Sequence, residues 1–378
     1  MLLPNLSIFF VFSNISLFYL FPLRLKALGG TDPQIGFIMS LFSISMVISR
    51  PIWGRIISSF GERKIIMISI FIISFSSLIY ILSTSINWHL MGLRLLHGLG
   101  SSGFIAGIFS LLSKSTSQRR AGATFSLTGI AIMTSMAISP SIGEVLIARY
   151  GFSSLFITAS ILSLIPVLIV PFISKQNQPN TVRSLAQRPS YLVFLKEKRF
   201  LYLLLSTWIF SHSQATVFNF ISLLLKEYKR LPSTFFFPSF SISILSLFIL
   251  SKTLDSVKKS RLLKISYPIY SFSIFMIPLS IKMDISLLST AMFGYGIASL
   301  FSIHNTLAAT YGVMEHRHYS MSLFTAVYDL GFITGPIIGG LILNYSRYDM
   351  LMNYMSLFST IGLLIAFSNY LNEKETKR

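Results

Sequence analysis

The sequence has 378 residues, of which 53% are hydrophobic and 11% are charged, whereas soluble domains carry about 25% charged residues. With a mean hydropathy of +0.69, this composition excludes a soluble globule and indicates a polytopic integral membrane protein. The net charge of +19 does not indicate nucleic-acid binding, because the basic residues lie in short loops between apolar runs. The absence of cysteine excludes disulfides, thiolate metal sites and cysteine nucleophiles.

Twelve apolar stretches are long enough to span a bilayer, which takes about 20 residues. They predict helices 1 to 12 at 5–27, 34–57, 64–84, 88–113, 122–148, 152–173, 199–225, 234–254, 261–281, 285–311, 320–345 and 348–371. No basic region precedes residues 5–23, so this stretch is interpreted as helix 1 rather than as a cleavable signal peptide. Short connectors predict that consecutive helices are antiparallel neighbours.

The exception is the polar, basic segment 174–198, at the midpoint of the chain. It is predicted to be a cytoplasmic linker between an N-terminal six-helix bundle, 1–173, and a C-terminal six-helix bundle with a short cytoplasmic tail, 199–378. With the N-terminus inside, 21 of the 31 Lys and Arg lie on the cytoplasmic side and eight lie outside. Basic loops favour the cytoplasm, so both termini are predicted to be cytoplasmic.

An internal repeat relates the two halves. Three landmarks of the first half recur 196 or 197 residues later: Ser139-Pro140 as Gly335-Pro336, Gly98-x-Gly100 as Gly294-x-Gly296, and the loop 54–64 as 251–261. Each repeat contains six helices, so both halves have the same orientation and are related by an axis along the membrane normal. This arrangement predicts a site between the halves near mid-membrane.

Three motifs carry a resemblance to a known family. The loop between helices 2 and 3 keeps Gly54, Gly61 and the basic pair Arg63-Lys64 of the pattern G-x-x-x-D-R-x-G-R-[RK], while Ser58 replaces its aspartate. In the second half, Asp255 supplies the aspartate and the glycines are lost. Helix 4 contains Arg94-x-x-x-Gly98-x-Gly100. Helix 5 contains a partial glycine-proline motif with Pro140 and Gly143, and helix 11 contains a fuller one with Gly335, Pro336 and Gly339.

The chain therefore resembles the major facilitator superfamily over essentially its whole length. The resemblance implies an all-α integral membrane fold of twelve helices in two pseudo-symmetric bundles. It also implies a secondary active transporter in the cytoplasmic (inner) membrane that works by alternating access, is coupled to protons and exports a small amphipathic compound. The loop between helices 2 and 3 would then brace the cytoplasmic gate, and the glycines and prolines would allow close helix packing and bends.

Two other functions stay open. One is an importer or uniporter of a small metabolite, since the same fold serves both. The other is a non-transporting membrane sensor, which the loss of the aspartate at Ser58 favours. The sequence contains no nucleotide-binding loop and no metal-ligand cluster. We therefore expect no enzymatic activity, no cofactor and no metal, and a monomer whose partners are a small molecule, protons and the bilayer.

Charged residues inside helices are the first site candidates, because a charge in the bilayer is costly. Asp329 lies about nine residues into helix 11, roughly 13 Å deep. Desolvation disfavours a carboxylate's charged form, which makes Asp329 a candidate proton carrier, and a packing aspartate is the alternative. Arg94 lies about six residues into helix 4, and snorkelling to the outer interface is its alternative. An Arg94–Asp329 pair in one conformation is a hypothesis. Glu144 is interpreted as an interfacial carboxylate paired with Arg149.

The resemblance implies that helices 1, 4, 7 and 10 line the central cavity. Polar residues on these helices are therefore candidates for ligand contacts, with interhelical hydrogen bonds as the alternative for each. These candidates are Asn14, Tyr19, His97, His212, Gln214, Asn219, His304 and Asn305.

Overall fold

The computed structural model describes residues 2–115, 121–173, 197–253, 257–310 and 317–368. Within these ranges the regular secondary structure is entirely helical. The described residues form twelve long helices, matching the predicted number: α1 Leu2–Ala27, α2 Asp32–Phe60, α3 Glu62–Leu82, α4 Trp88–Ser115, α5 Ala121–Tyr150, α6 Phe152–Phe172, α7 Lys198–Glu227, α8 Ser233–Thr253, α9 Lys259–Lys282, α10 Ser286–Thr310, α11 Arg317–Leu343 and α12 Tyr348–Phe367.

Local signals explain where several helices begin and bend. Thr31 caps α2: its hydroxyl accepts from the backbone N–H of Gln34, whose side chain accepts from the Thr31 N–H. Gly61, at a φ of +80°, ends α2 and allows α3 to begin at the next residue. In α1, Phe18–Leu20 form one turn of 3₁₀-helix because Pro22 lacks the N–H that would bond to the Phe18 carbonyl.

Eleven of these helices are long and apolar enough to cross a membrane. The exception, α7, has the length but carries many Ser, Thr, His, Gln and Asn side chains. Nearly every residue of α7 from Leu203 to Leu225 is buried, so its polar groups face other helices rather than lipid. Elsewhere the exposed surface is rich in Leu, Ile and Phe while many serines are buried. This is the distribution expected of a multi-pass membrane protein.

The helix contacts follow the predicted six-helix repeat. In the first half α1 packs on α5 and α6, α2 on α4, and α3 on α4 and α6. The second half repeats these pairs with six added to each number: α7 packs on α11 and α12, α8 on α10, and α9 on α10 and α12. The two bundles meet chiefly through α2 against α11 and α5 against α8. The segment 174–196 and the C-terminal tail lie outside the described residues, so the exact division into 1–173, 174–198 and 199–378 stays a prediction.

Glycines at equivalent positions make equivalent contacts in the two halves. A Cβ added to Gly98 would overlap the carbonyl oxygen of Phe42 in α2, and one added to Gly294 would overlap the carbonyl oxygen of Ser239 in α8. The other repeat glycines are similarly crowded: Gly100 against α3, Gly296 against α9, Gly143 against α1, and Gly335 and Gly339 against α7. The helical glycines of the sequence repeat are therefore sites of close helix packing within each bundle.

Candidate functional site

A cavity of about 840 Å³ lies between the two bundles, a volume typical of small-molecule sites. The resemblance implied walls from α1, α4, α7 and α10. The cavity is also lined by α2, α5, α8 and α11, whereas none of the described lining residues comes from α3, α6, α9 or α12. Phenylalanine, methionine and isoleucine side chains dominate the wall. Among the described residues, Arg50, Arg94 and Asp329 are the charged groups that line it.

The cavity opens towards the face on which Leu2 and Phe367 lie, which we call the terminal face. Its lining extends to Phe109, Leu250 and Thr306, which lie within two turns of the helix ends on that face. If the terminal face is cytoplasmic, as the sequence predicts, this conformation is inward-facing.

Two contacts between the bundles close the other side of the cavity, which we call the opposite face. Where α2 meets α11, a Cβ at Gly36 would overlap the carbonyl oxygen of Pro336, and one at Gly340 would lie 2.5 Å from the Asp32 carbonyl oxygen. Where α5 meets α8, the Glu144 carboxylate accepts bonds from the backbone N–H and the hydroxyl of Ser233, at 2.8 and 2.5 Å. Glu144 therefore joins the bundles at the start of α8, and no contact with Arg149 supports the predicted pair.

Asp329 forms an ion pair across the bundle interface, with Arg50 of α2. The predicted partner, Arg94, is not paired with Asp329 in this conformation. The reason is the register of α2 against α11, which brings the Arg50 guanidinium to Asp329 in the cavity wall. The pair is partly accessible, with exposed side-chain fractions of 31% for Arg50 and 16% for Asp329. Both groups can therefore be reached from the cavity.

Arg94 is 4% exposed and has no carboxylate partner among the described residues. Three aromatic rings surround its guanidinium: the Cζ atom lies 5.5 Å from the ring centroid of Phe18, 5.6 Å from that of Phe21 and 4.8 Å from that of Phe42. Its Nη2 atom lies 3.7 Å from the Met39 sulfur. The position is thus buried, and the alternative of snorkelling to the interface does not describe it.

Five of the eight predicted ligand-contact residues line the cavity: Tyr19, His97, Gln214, Asn219 and Asn305. Gln214 accepts a bond from the Tyr328 hydroxyl at 3.0 Å, which joins α7 to α11 within the wall. Asn219 donates to the Ala215 carbonyl of its own helix at 2.7 Å. Tyr328 was not singled out from the sequence, although it directly precedes Asp329.

The other three predicted residues do not line the cavity in this conformation, because interhelical partners hold them inside a bundle. Asn14 donates to Ser77 and to the Ala159 carbonyl, both at 2.8 Å, and its oxygen bonds to His97 Nε2. His212 bonds to Thr334 at 2.9 Å. His304 lies 2.8 Å from the Ser206 hydroxyl.

The predicted gating loop lies at the terminal face. Gly54 faces open space, Gly61 forms the turn, and Ser58 donates to the Arg55 carbonyl of its own helix at 2.6 Å. Arg63 is half-buried and Lys64 is exposed. Asp255 falls outside the described residues.

Glu62, which separates Gly61 from the basic pair Arg63-Lys64, forms contacts that the sequence analysis missed. Its carboxylate pairs with Lys114 and accepts a bond from the Ser110 hydroxyl at 3.1 Å. The loop therefore contains a carboxylate that stabilises it, and this carboxylate contacts α4 of the same bundle. The signal available in the sequence was an acidic residue just before predicted helix 3.

Comparisons with known proteins agree with this architecture. The model of the Major Facilitator Superfamily matches residues 5–311. The chain is 25% identical over 377 residues to a multi-drug resistance efflux pump PmrA homolog of Lactococcus lactis subsp. lactis (strain IL1403), covering 96% of this chain and 92% of that protein. It is 27% identical over 172 residues to multidrug resistance protein 2 of Bacillus subtilis (strain 168), covering 45% of this chain and 42% of that protein.

Solved structures share the fold at low sequence identity. The nucleoside transporter NupG aligns with a TM-score of 0.74 at 15% identity, covering 97% of each chain. A bacterial homolog of the human lysosomal transporter Spinster, in an inward-facing and unoccupied conformation, aligns with a TM-score of 0.76 at 13% identity, covering 99% of this chain and 98% of that one. With the family model matching most of its length, the chain belongs to the Major Facilitator Superfamily, as a multi-pass membrane transporter.

Proposed function

We propose that this transporter exports small amphipathic molecules by alternating access and that Asp329 and Arg50 couple export to proton movement. The observation that carries the proposal is their ion pair, which joins α2 of one bundle to α11 of the other in the cavity wall. Few charged residues inside a membrane protein are accidental, and those that face an interior cavity typically lie on ion or substrate pathways.

The position of the Arg50–Asp329 pair suggests why a proton and a substrate molecule bind to the transporter alternately rather than together. When Asp329 is ionised, its attraction to Arg50 links the bundles and favours the conformation that is open at the terminal face. Protonation of Asp329 removes that attraction, and a substrate that bonds to either partner weakens it. Each event alone therefore releases the link between α2 and α11, which is what exchange of one species for the other requires.

The cavity wall supports an amphipathic substrate. Its Phe and Met side chains offer apolar, adaptable surface, while Gln214, Asn219 and Asn305 add a few polar groups. This combination of a mostly apolar wall with a few polar groups is typical of small-molecule sites.

The direction and topology of transport rest on other support. Export is favoured by the two relatives described above, whose names are those of multidrug efflux proteins. The excess of Lys and Arg in the loops of the terminal face favours a cytoplasmic location for that face and for both termini. The cavity described here is built by one chain, which favours a working monomer in the cytoplasmic membrane.

The test is proton movement in proteoliposomes that contain a pH-sensitive dye, with a panel of amphipathic compounds added outside. We expect at least one compound to trigger proton flux with the wild-type protein and none to do so with Asp329→Asn. The matched control is Asp284→Asn, which removes an exposed carboxylate at the opposite face and should leave the flux unchanged.

Three outcomes would contradict parts of the proposal. Substrate movement without proton flux would identify a uniporter and make Asp329 structural. Flux only when substrate and protons move in the same direction would identify an importer. No movement of any compound by correctly folded protein would favour the sensor, although the Glu62–Lys114 brace weakens the argument for a sensor that was based on Ser58.

A further inference from the structure

We infer that Arg94 is the binding site for the anionic head group of the substrate, and hence that the transported class is amphipathic organic anions with an aromatic or aliphatic body. This inference rests on the proposed transport function, which it makes more specific. It stands on the burial of Arg94, on its missing partners and on its place in the cavity wall.

The first step is that Arg94 holds a permanent charge without a counter-ion. A guanidinium stays protonated in proteins, and buried charges are normally paired. Arg94 is 4% exposed, yet its Nε and Nη1 atoms have no hydrogen-bond acceptor in the part of the chain that the structure describes. The other cavity cation, Arg50, already pairs with Asp329.

The second step is that the polar neighbours of Arg94 are not anions. The phenols of Tyr19 and Tyr80 interact electrostatically with the guanidinium, and Tyr80 is also a hydrogen-bond partner of it, but a phenol is neutral near pH 7. His97 is fixed as a hydrogen-bond donor through Nε2, because the amide nitrogen of Asn14 donates to other groups and leaves only its oxygen facing His97. The neighbours therefore leave the positive charge uncompensated.

The third step is that Arg94 and its neighbours form part of the cavity wall. Arg94, His97, Tyr19 and Met39 all line the cavity. The rings of Phe18, Phe21 and Phe42 stabilise the cation through their faces, yet they accept no conventional hydrogen bond. A carboxylate or sulfonate that enters from the terminal face would accept hydrogen bonds from the unpaired N–H groups of Arg94 once the covering side chains move aside, and its apolar body would lie against the Phe and Met wall.

The test compares two probes with the same apolar body: 1-naphthaleneacetate, whose head group is a carboxylate, and 1-naphthaleneacetamide, whose head group is an uncharged amide. Equilibrium binding is measured with the full-length protein in phosphatidylcholine nanodiscs, with empty nanodiscs subtracted. We expect the wild type to bind the acid at least tenfold more tightly than the amide, which is about 1.4 kcal/mol. Arg94→Met should bring the ratio of the two affinities close to one, and Arg94→Lys should retain part of the preference for the acid.

The matched control is Arg24→Met. Arg24 also lies over an aromatic ring, that of Phe152, but it does not line the cavity, so the preference for the acid should persist. Thermal unfolding of each variant shows that it is folded. Equal affinity for acid and amide in the wild type, an unchanged preference in Arg94→Met, or no binding of the acid at millimolar concentration would each overturn the inference.

A second arm separates a soluble anion from a lipid head group. Adding phosphatidylglycerol to the nanodiscs should leave the affinity for the acid unchanged. An Arg94-dependent loss of affinity would assign the site to an anionic lipid instead. Binding is measured without a proton gradient, so its result does not depend on proton-coupled transport. Failure of the anion-binding inference can therefore be told apart from failure of the proposed transport function.

Discussion

The closure of the opposite face depends on backbone contact at Gly36, and Gly36→Ala is expected to weaken it. The added Cβ would lie 2.9 Å from the carbonyl carbon of Pro336 and 3.3 Å from Cα of Gly340. Since non-bonded carbons pack at about 3.5 Å, α11 must retreat from α2 by about 0.6 Å or more. Overpacking of this kind costs about 1–3 kcal/mol, and no flexible side chain is available to relieve it.

This cost falls on the conformation that is closed at the opposite face and not on the one that is open there. The ratio of open to closed molecules should therefore rise by roughly 5- to 150-fold. The chain has no cysteine, so Thr84→Cys and Tyr345→Cys, both in exposed loops of the opposite face, can be spin-labelled directly. Pulsed electron–electron double resonance measures the distance between the two labels. In Gly36→Ala, a larger fraction of molecules should show a longer distance than in the wild type.

The matched control is Gly92→Ala, because a Cβ at Gly92 meets open space. That variant should keep the wild-type distance distribution. If Gly36→Ala also keeps it while the protein stays folded, the α2–α11 contact does not control closure, and the reasoning from backbone overlap is refuted.

Two further predictions concern the polar links between the bundles. Glu144→Gln should weaken the α5–α8 contact by about 1 kcal/mol, because the amide lacks the charge that favours the start of α8. We expect faster deuterium exchange at the backbone amide of Ser233, and an unchanged exchange rate would count against the link. Arg50→Gln and Asp329→Asn should show a coupling of about 1 kcal/mol in a double-mutant cycle of thermal unfolding, a value kept low because Arg50 is 31% exposed. Strictly additive effects would mean that the pair contributes nothing to stability.

The fold was predictable from the sequence because lipid imposes a simple requirement on helices. A run of apolar residues near 20 long has few other structures available to it, and the spacing of Gly98 and Gly294 disclosed the repeat. Even α7 was predicted, although its polar residues set it apart from the other eleven helices, because it contains no charged residue over 200–225.

The site was only partly predictable, because hydropathy does not fix how each helix is rotated about its axis. The cost of an intramembrane charge singled out Asp329, but it could not say that Arg50 rather than Arg94 lies opposite. Asn14 and His304 sit on cavity-lining helices as expected, yet their faces turn towards α3 and α9 inside the bundles. The carboxylate of the loop was missed because Glu62 lies four residues from where the family pattern has its aspartate.

The two contacts that close the opposite face, α2 with α11 and α5 with α8, differ in the range over which their forces act. Contact between Gly36 and the α11 backbone is steep short-range repulsion, so it works as a mechanical stop that fixes how far the bundles can tilt together. The charge of Glu144 acts over a longer distance, and it stabilises the closed arrangement of the two bundles once they have met. Natural variation at the first position should therefore change how closely the bundles approach as well as the fraction of closed molecules, whereas variation at the second should change that fraction alone.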